Sequence, residues 1–110
     1  MLLSNKSYEE LEKASQEWAE WHKKVILLED GKKAMFSKLF LKYKLETKTV
    51  IEAEHKSRVD AEYREIVKQY ANAEEELIKA RFHYSNLSQY ISLKQSELKR
   101  DLALTGKQPV

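Results

Sequence analysis

From Val59 onward the apolar positions fall into two interleaved series. Val59, Ile66, Ala73, Ala80 and Leu87 lie seven apart, and Tyr63, Tyr70, Leu77, Tyr84, Ile91 and Leu98 form a second series offset by four. Steps of three and four keep both series on one face of a helix. A seven-residue repeat held this long requires a helical partner along its length. The pattern predicts a long helix over residues 59–102, with a seam that weakens at Lys94 and Asp101. The first third of the chain repeats the theme through Leu11, Ala14, Trp18, Trp21, Val25 and Leu28. After Gly31 the apolar positions are Met35, Phe36, Leu39, Phe40 and Tyr43. Strict continuation would place Lys32 and Lys42 in the seam, so the stripe rotates or widens there. The reading is one continuous helix over residues 8–46. Its internal Gly31 costs about 1 kcal/mol and offers a place to kink.

Three local signals mark helix starts. Ser7-Tyr8-Glu9-Glu10, Thr49-Val50-Ile51-Glu52 and Ser57-Arg58-Val59-Asp60 each place a hydroxyl three residues before an acid, the pattern of a capping box. Thr47 and Thr49 disfavour a helix interior. Residues 47–58 therefore form a corner holding a short helix, expected to run to about Lys56. Residues 103–110, with Gly106 and Pro109, are expected to be a disordered tail.

Composition supports long helices. Charged residues make up 35% of the chain, with 2 Gly and 1 Pro, too few turn formers for a fold with many reversals. Charge then selects the pairing. Segments 1–22, 23–48, 49–76 and 77–110 carry net −3, +5, −4 and +4. Folding at the corner sets +5 beside −4 and −3 beside +4, whereas parallel in-register copies would set like against like. Single surface pairs contribute about 0–1 kcal/mol, so the value of the pattern lies in register and orientation. The expected fold is all-α: a single domain, residues 1–110, built as a long antiparallel, coiled-coil-like hairpin with a short helical corner.

One narrow seam cannot cover all the large side chains. Trp18, Trp21, Phe36, Phe40, Tyr63, Tyr70, Tyr84 and Tyr90 exceed it, and Phe36, Phe40 and Ile26 fall partly outside the simplest stripe. A second hairpin packed on this surplus would give a homodimer or a higher bundle, with the dimer favoured. The residues expected at helix–helix or oligomer contacts are Trp18, Trp21, Val25, Leu28, Met35, Phe36, Leu39, Phe40, Tyr63, Ile66, Tyr70, Leu77, Tyr84, Leu87, Ile91 and Leu98.

Candidate chemistry changes this picture little. There is no cysteine, which removes disulfides and thiolate metal sites. His22, His55 and His83 lack a His or Cys partner at ligand spacing, although Glu52 and Glu54 flank His55. Glu74-Glu75-Glu76 spread around a helix rather than forming one cluster. No nucleophile–base pair, phosphate loop or paired-acid site stands out, so neither an enzyme nor a cofactor is expected. Met1-Leu2-Leu3 is too short for a signal peptide, and Val25-Ile26-Leu27-Leu28 is far too short to span a bilayer, so a soluble cytoplasmic protein is expected. Lys32, Lys33, Lys38 and Lys42, interleaved with Phe36, Phe40 and Tyr43, have two readings. The lysines are neutralised by the acidic segment 49–76 across the hairpin, or they form a DNA- or RNA-binding face. The first is the plainer, because the acids are present.

The organisation also resembles a loose class of small phage and prophage proteins. A charged helix bearing Trp18 or Trp21 leads to the corner Lys48-Thr49-Val50-Ile51-Glu52. Ala73-Glu74 and Tyr84 follow, and Ser96-Glu97-Leu98 stands near the end. The resemblance covers most of the chain and implies a non-enzymatic accessory or interaction role, with no catalytic residues to carry over. The expected function is self-association plus binding of a protein partner, as a phage factor in DNA recombination or replication or as an inhibitor of a host factor.

Overall fold

A computed structural model describes residues 5–104 of the chain. It is all-helical: α1 spans Asn5–Lys44, α2 spans Val50–Val59 and α3 spans Ala61–Leu104, with no strand among the described residues. The chain divides into two compact units. Unit 1 holds the segment up to Ala19 together with the segment from Ile78, and unit 2 holds Glu20–Leu77. These limits fall close to the changes of sign in the charge pattern.

In unit 1 the pairing is antiparallel. The Trp18 and Tyr84 rings pack at 5.3 Å between centroids, and Gln95 Nε2 donates to the Tyr8 hydroxyl at 3.1 Å. Ala14, Ala80 and Ile91 are buried here. Small residues at two of these positions let helix backbones approach closely. Unit 2 is also antiparallel, with Phe36 against Tyr63 at 5.6 Å and Tyr43 bonded to Asp60. Its buried residues are Val25, Leu39, Ala53, Ser57 and Ala73. Two of them belong to α2, so this unit has a third helical element contributing to its core.

Gly31 does not interrupt α1, which runs unbroken through it. A Cβ at that position would meet Ile66 Cδ1 at 3.1 Å. The glycine thus sits beneath a side chain of the opposing helix. The stripe widens past Gly31 as the spacing implied. Lys32, Met35, Phe36, Phe40 and Tyr43 are half-buried around the buried Leu39, while Lys42 is exposed.

Several boundaries differ from the sequence reading, each for a local reason. α1 already includes Asn5, so Ser7 lies inside its first turn rather than capping it. It ends at Lys44 rather than residue 46, because the Tyr43 carbonyl accepts from Glu46 N and Thr47 N at 3.0 Å each and from Thr47 Oγ1 at 2.9 Å. Thr49 does cap α2, its side chain accepting from Glu52 N at 3.2 Å. Ser57 does not start the third helix. It is fully buried in α2, where its hydroxyl donates to the Ala53 carbonyl at 2.7 Å. Asp60 caps α3 instead, Oδ1 accepting from Glu62 N at 2.8 Å. The break at Asp60 takes Val59 out of the α3 seam and leaves it 52% exposed. Ala103 and Leu104, placed in the tail by sequence, are the last residues of α3. Residues 105–110 lie outside the described residues.

Candidate functional site: helix faces and a cationic cleft

None of the sixteen residues expected at helix–helix or oligomer contacts is exposed. Val25, Leu39 and Ile91 are buried. Trp18, Trp21, Leu28, Met35, Phe36, Phe40, Tyr63, Ile66, Tyr70, Leu77, Tyr84, Leu87 and Leu98 are half-buried. Five of them meet within a unit: Trp18 with Tyr84 in unit 1, and Phe36 with Phe40 and Tyr63 in unit 2. The aromatic surplus is partly taken up inside the chain. The Arg58 guanidinium of α2 lies 5.9 Å from the Phe36 ring. Ile26, by contrast, is 47% exposed.

A second apolar stripe lies on the outside of α1. Leu27, Ala34 and Leu41 are seven apart and all exposed, and Leu45, four residues further on, is 90% exposed. In unit 1, α3 exposes Ile78, Phe82 and Leu93 on one face, with Tyr90 beside it. The sequence reading passed over both stripes, because the stronger inner seams absorbed the same heptad logic. The spacing of Leu27, Ala34 and Leu41 was the available signal.

The four lysines singled out by sequence go different ways. Lys32 and Lys33 line an open cleft of about 370 Å³ in unit 2, together with Phe36, Ser37, Arg58 and Tyr63. Lys38 is exposed elsewhere on α1, and the Lys42 ammonium lies 5.2 Å from the Tyr43 ring. The lysines of this segment contact rings: Lys24 over Trp21, Lys32 over Tyr70 at 4.3 Å, and Lys44 over Phe40. Within α3, Lys94 pairs with Glu97 at 3.3 Å. Arg58 completes the cationic group and was missed by sequence, since only the capped α2 brings it beside Phe36.

At the corner, Asp60 ties the end of α1 to the start of α3. The Tyr43 hydroxyl donates to its Oδ2, and its other oxygen takes the Glu62 amide. The Tyr43 hydrogen bond, then the Glu62 amide, hold the Asp60 carboxyl below its ordinary range, outweighing the opposing effect of burial. The same hydrogen bond, with burial second, raises the Tyr43 phenol. Burial first, with Glu74 and Glu29 nearby, raises Tyr70. His22, His55 and His83 are all exposed, and among the described residues no group of three or more His, Asp or Glu is placed to hold a metal ion. No helix among the described residues is long and apolar enough to cross a membrane. Comparison with protein-family models, with curated proteins and with solved structures finds no match to this chain.

Proposed function

We propose that this chain is a non-enzymatic interaction protein that self-associates as a homodimer through the outer stripe of α1. The observation that carries this reading is the seven-residue spacing of exposed Leu27, Ala34 and Leu41. That spacing suits a helical partner, because only a helix presents knobs and holes at the same repeat. The stripe is also complementary to itself. Two copies related by a two-fold axis at Ala34 would set each Leu27 against the other copy's Leu41, with the small Ala34 at the crossing. Asp30 and Lys38, both exposed, stand four residues on either side of Ala34. The same axis would place each Asp30 beside the other copy's Lys38. A symmetric interface makes every such contact twice.

Such a dimer leaves other exposed apolar residues, including Leu45 and Ile51 at the corner and Phe82 and Leu93 in unit 1, for a protein partner. On the resemblance to small phage proteins, the partner we propose is a recombination, replication or host factor in the cytoplasm of a host cell. Sedimentation over a concentration series tests the dimer. A dimer is expected at micromolar concentration, Asp30→Lys should weaken it by setting Lys beside Lys, and adding Lys38→Asp should restore it. A monomer at high micromolar concentration, or a double variant no better than the single one, overturns the reading.

A further inference from the structure

The cleft of unit 2 gathers three cations around two rings. Lys32, Lys33 and Arg58 line it with Phe36, Tyr63 and Ser37, and no carboxylate among the described residues shares the lining. Arg58 is held over Phe36, and Phe36 meets Tyr63 edge to face at 62°. A ring contact stabilises an exposed cation by about 0.5–1 kcal/mol and leaves its charge in place. Three like charges around one concave surface therefore repel each other and focus a positive potential into it. An anion that entered would relieve that repulsion. Phosphate suits it best: Arg engages phosphate through two parallel N–H bonds, lysines add point charge, and the Ser37 hydroxyl can donate to a further oxygen. The neighbouring rings supply what a bare phosphate site lacks, an aromatic surface on which a flat ring stacks.

We propose that this cleft binds a nucleotide unit with an unpaired base. Lys33 and Arg58 hold the phosphate, Lys32, whose ammonium rests over Tyr70, adds positive field at the rim, and the base stacks on the open parts of Phe36 and Tyr63. A free nucleotide and a single-stranded nucleic acid share this chemistry, whereas a duplex hides the faces of its bases. Lys33 and Ser37 lie within one turn of Ala34, so the site borders the dimer stripe, but it rests on its own lining and not on self-association.

The test is fluorescence anisotropy of the full chain with a labelled oligo(dT) strand at low salt, with unlabelled uridine monophosphate and the matching duplex as competitors. Saturable binding of the strand is expected, with a dependence of log Kd on log salt of roughly 0.7 for each phosphate neutralised. Arg58→Gln should weaken binding about tenfold, as expected for a lost hydrogen bond to a charged group. Lys48→Gln, an exposed cation outside the cleft, should change it little. Displacement by the monophosphate at similar concentration identifies the free nucleotide as the better ligand, and displacement only in large excess identifies the strand. Both support the site. Absence of binding at low salt, equal competition by duplex, or equal losses in Arg58→Gln and Lys48→Gln overturns it. Arg58 is exposed, and unchanged helicity in the variant separates loss of binding from loss of fold.

Discussion

Units 1 and 2 are built from the same kind of antiparallel seam, yet they close it differently. Among the described residues, unit 1 pairs two helix segments and buries Ala14, Ala80 and Ile91. Unit 2 adds α2, which buries Ala53 and Ser57 completely and brings Arg58 to Phe36. It also carries polar ties at the corner, from Thr49 to Glu52 and from Tyr43 through Asp60 to Glu62. A two-stranded seam protects small side chains well and leaves large ones half open. A third helical element converts that seam into a small core with fixed corners.

Leu39→Ala should break this comparison most strongly. Leu39 is 3% exposed at the centre of the widened stripe, so the truncation removes a buried side chain and leaves a cavity. A loss of about 2–4 kcal/mol is expected in urea unfolding. Hydrogen exchange should show the loss in unit 2 first, with the amides of unit 1 least affected. Equal loosening of both units at once would mean that they do not differ as described.

Ala53→Leu comes next. The Ala53 side chain has no free surface, and a leucine there must push α2 away from its neighbours. Overpacking of this kind costs about 1–3 kcal/mol. A variant as stable as the parent would show that α2 sits loosely and that the corner is not a packed element.

How much of this was legible beforehand follows from the range of the forces involved. The inner seams of α1 and α3 were readable because heptad spacing is a local property of sequence, and the Thr49 cap because it spans three residues. Ser57 was misread because its hydroxyl has two local uses. It can cap a helix start or bond back to the carbonyl four residues earlier, and only burial beside Ala53 decides between them. Arg58 could not be assigned to a cleft, since its neighbour Phe36 is twenty-two residues away. Which ring each lysine meets could not be assigned, because net charge is a property of a segment, whereas contact depends on side-chain placement. The outer stripe of Leu27, Ala34 and Leu41 has a local spacing too, but the inner seam of the same helix carries the larger side chains and dominates the pattern.

Acid and base should both loosen the corner of unit 2, by less than the core substitutions do. Asp60 has its carboxyl lowered in the folded chain, so its stabilisation is present above the usual aspartate range and is lost as pH falls through the folded value. Tyr43 has its phenol raised, so its share is present below the usual tyrosine range and is lost as pH rises through the folded value. Thermal unfolding of Tyr43→Phe, compared with the parent across pH, should show a flatter profile at both ends. Parallel profiles would remove the Tyr43–Asp60 bond from the account of unit 2.

Gly31→Ala should produce the smallest change, and its sign is informative. The substitution gains about 1 kcal/mol of helix propensity in the middle of α1. Against this, the new methyl would lie 3.1 Å from Ile66 Cδ1, closer than comfortable contact. Ile66 is half-buried, and the atom in the way is the far end of its side chain, which a rotation about the terminal torsion can move. The net effect is therefore a stabilisation of less than about 1 kcal/mol, seen as a small rise in the urea midpoint with no change in slope. A destabilised variant would mean that Ile66 cannot yield. Unit 2 would then be packed tightly at Gly31 as well as at α2, and its difference from the more open seam of unit 1 would extend along that stretch of α1.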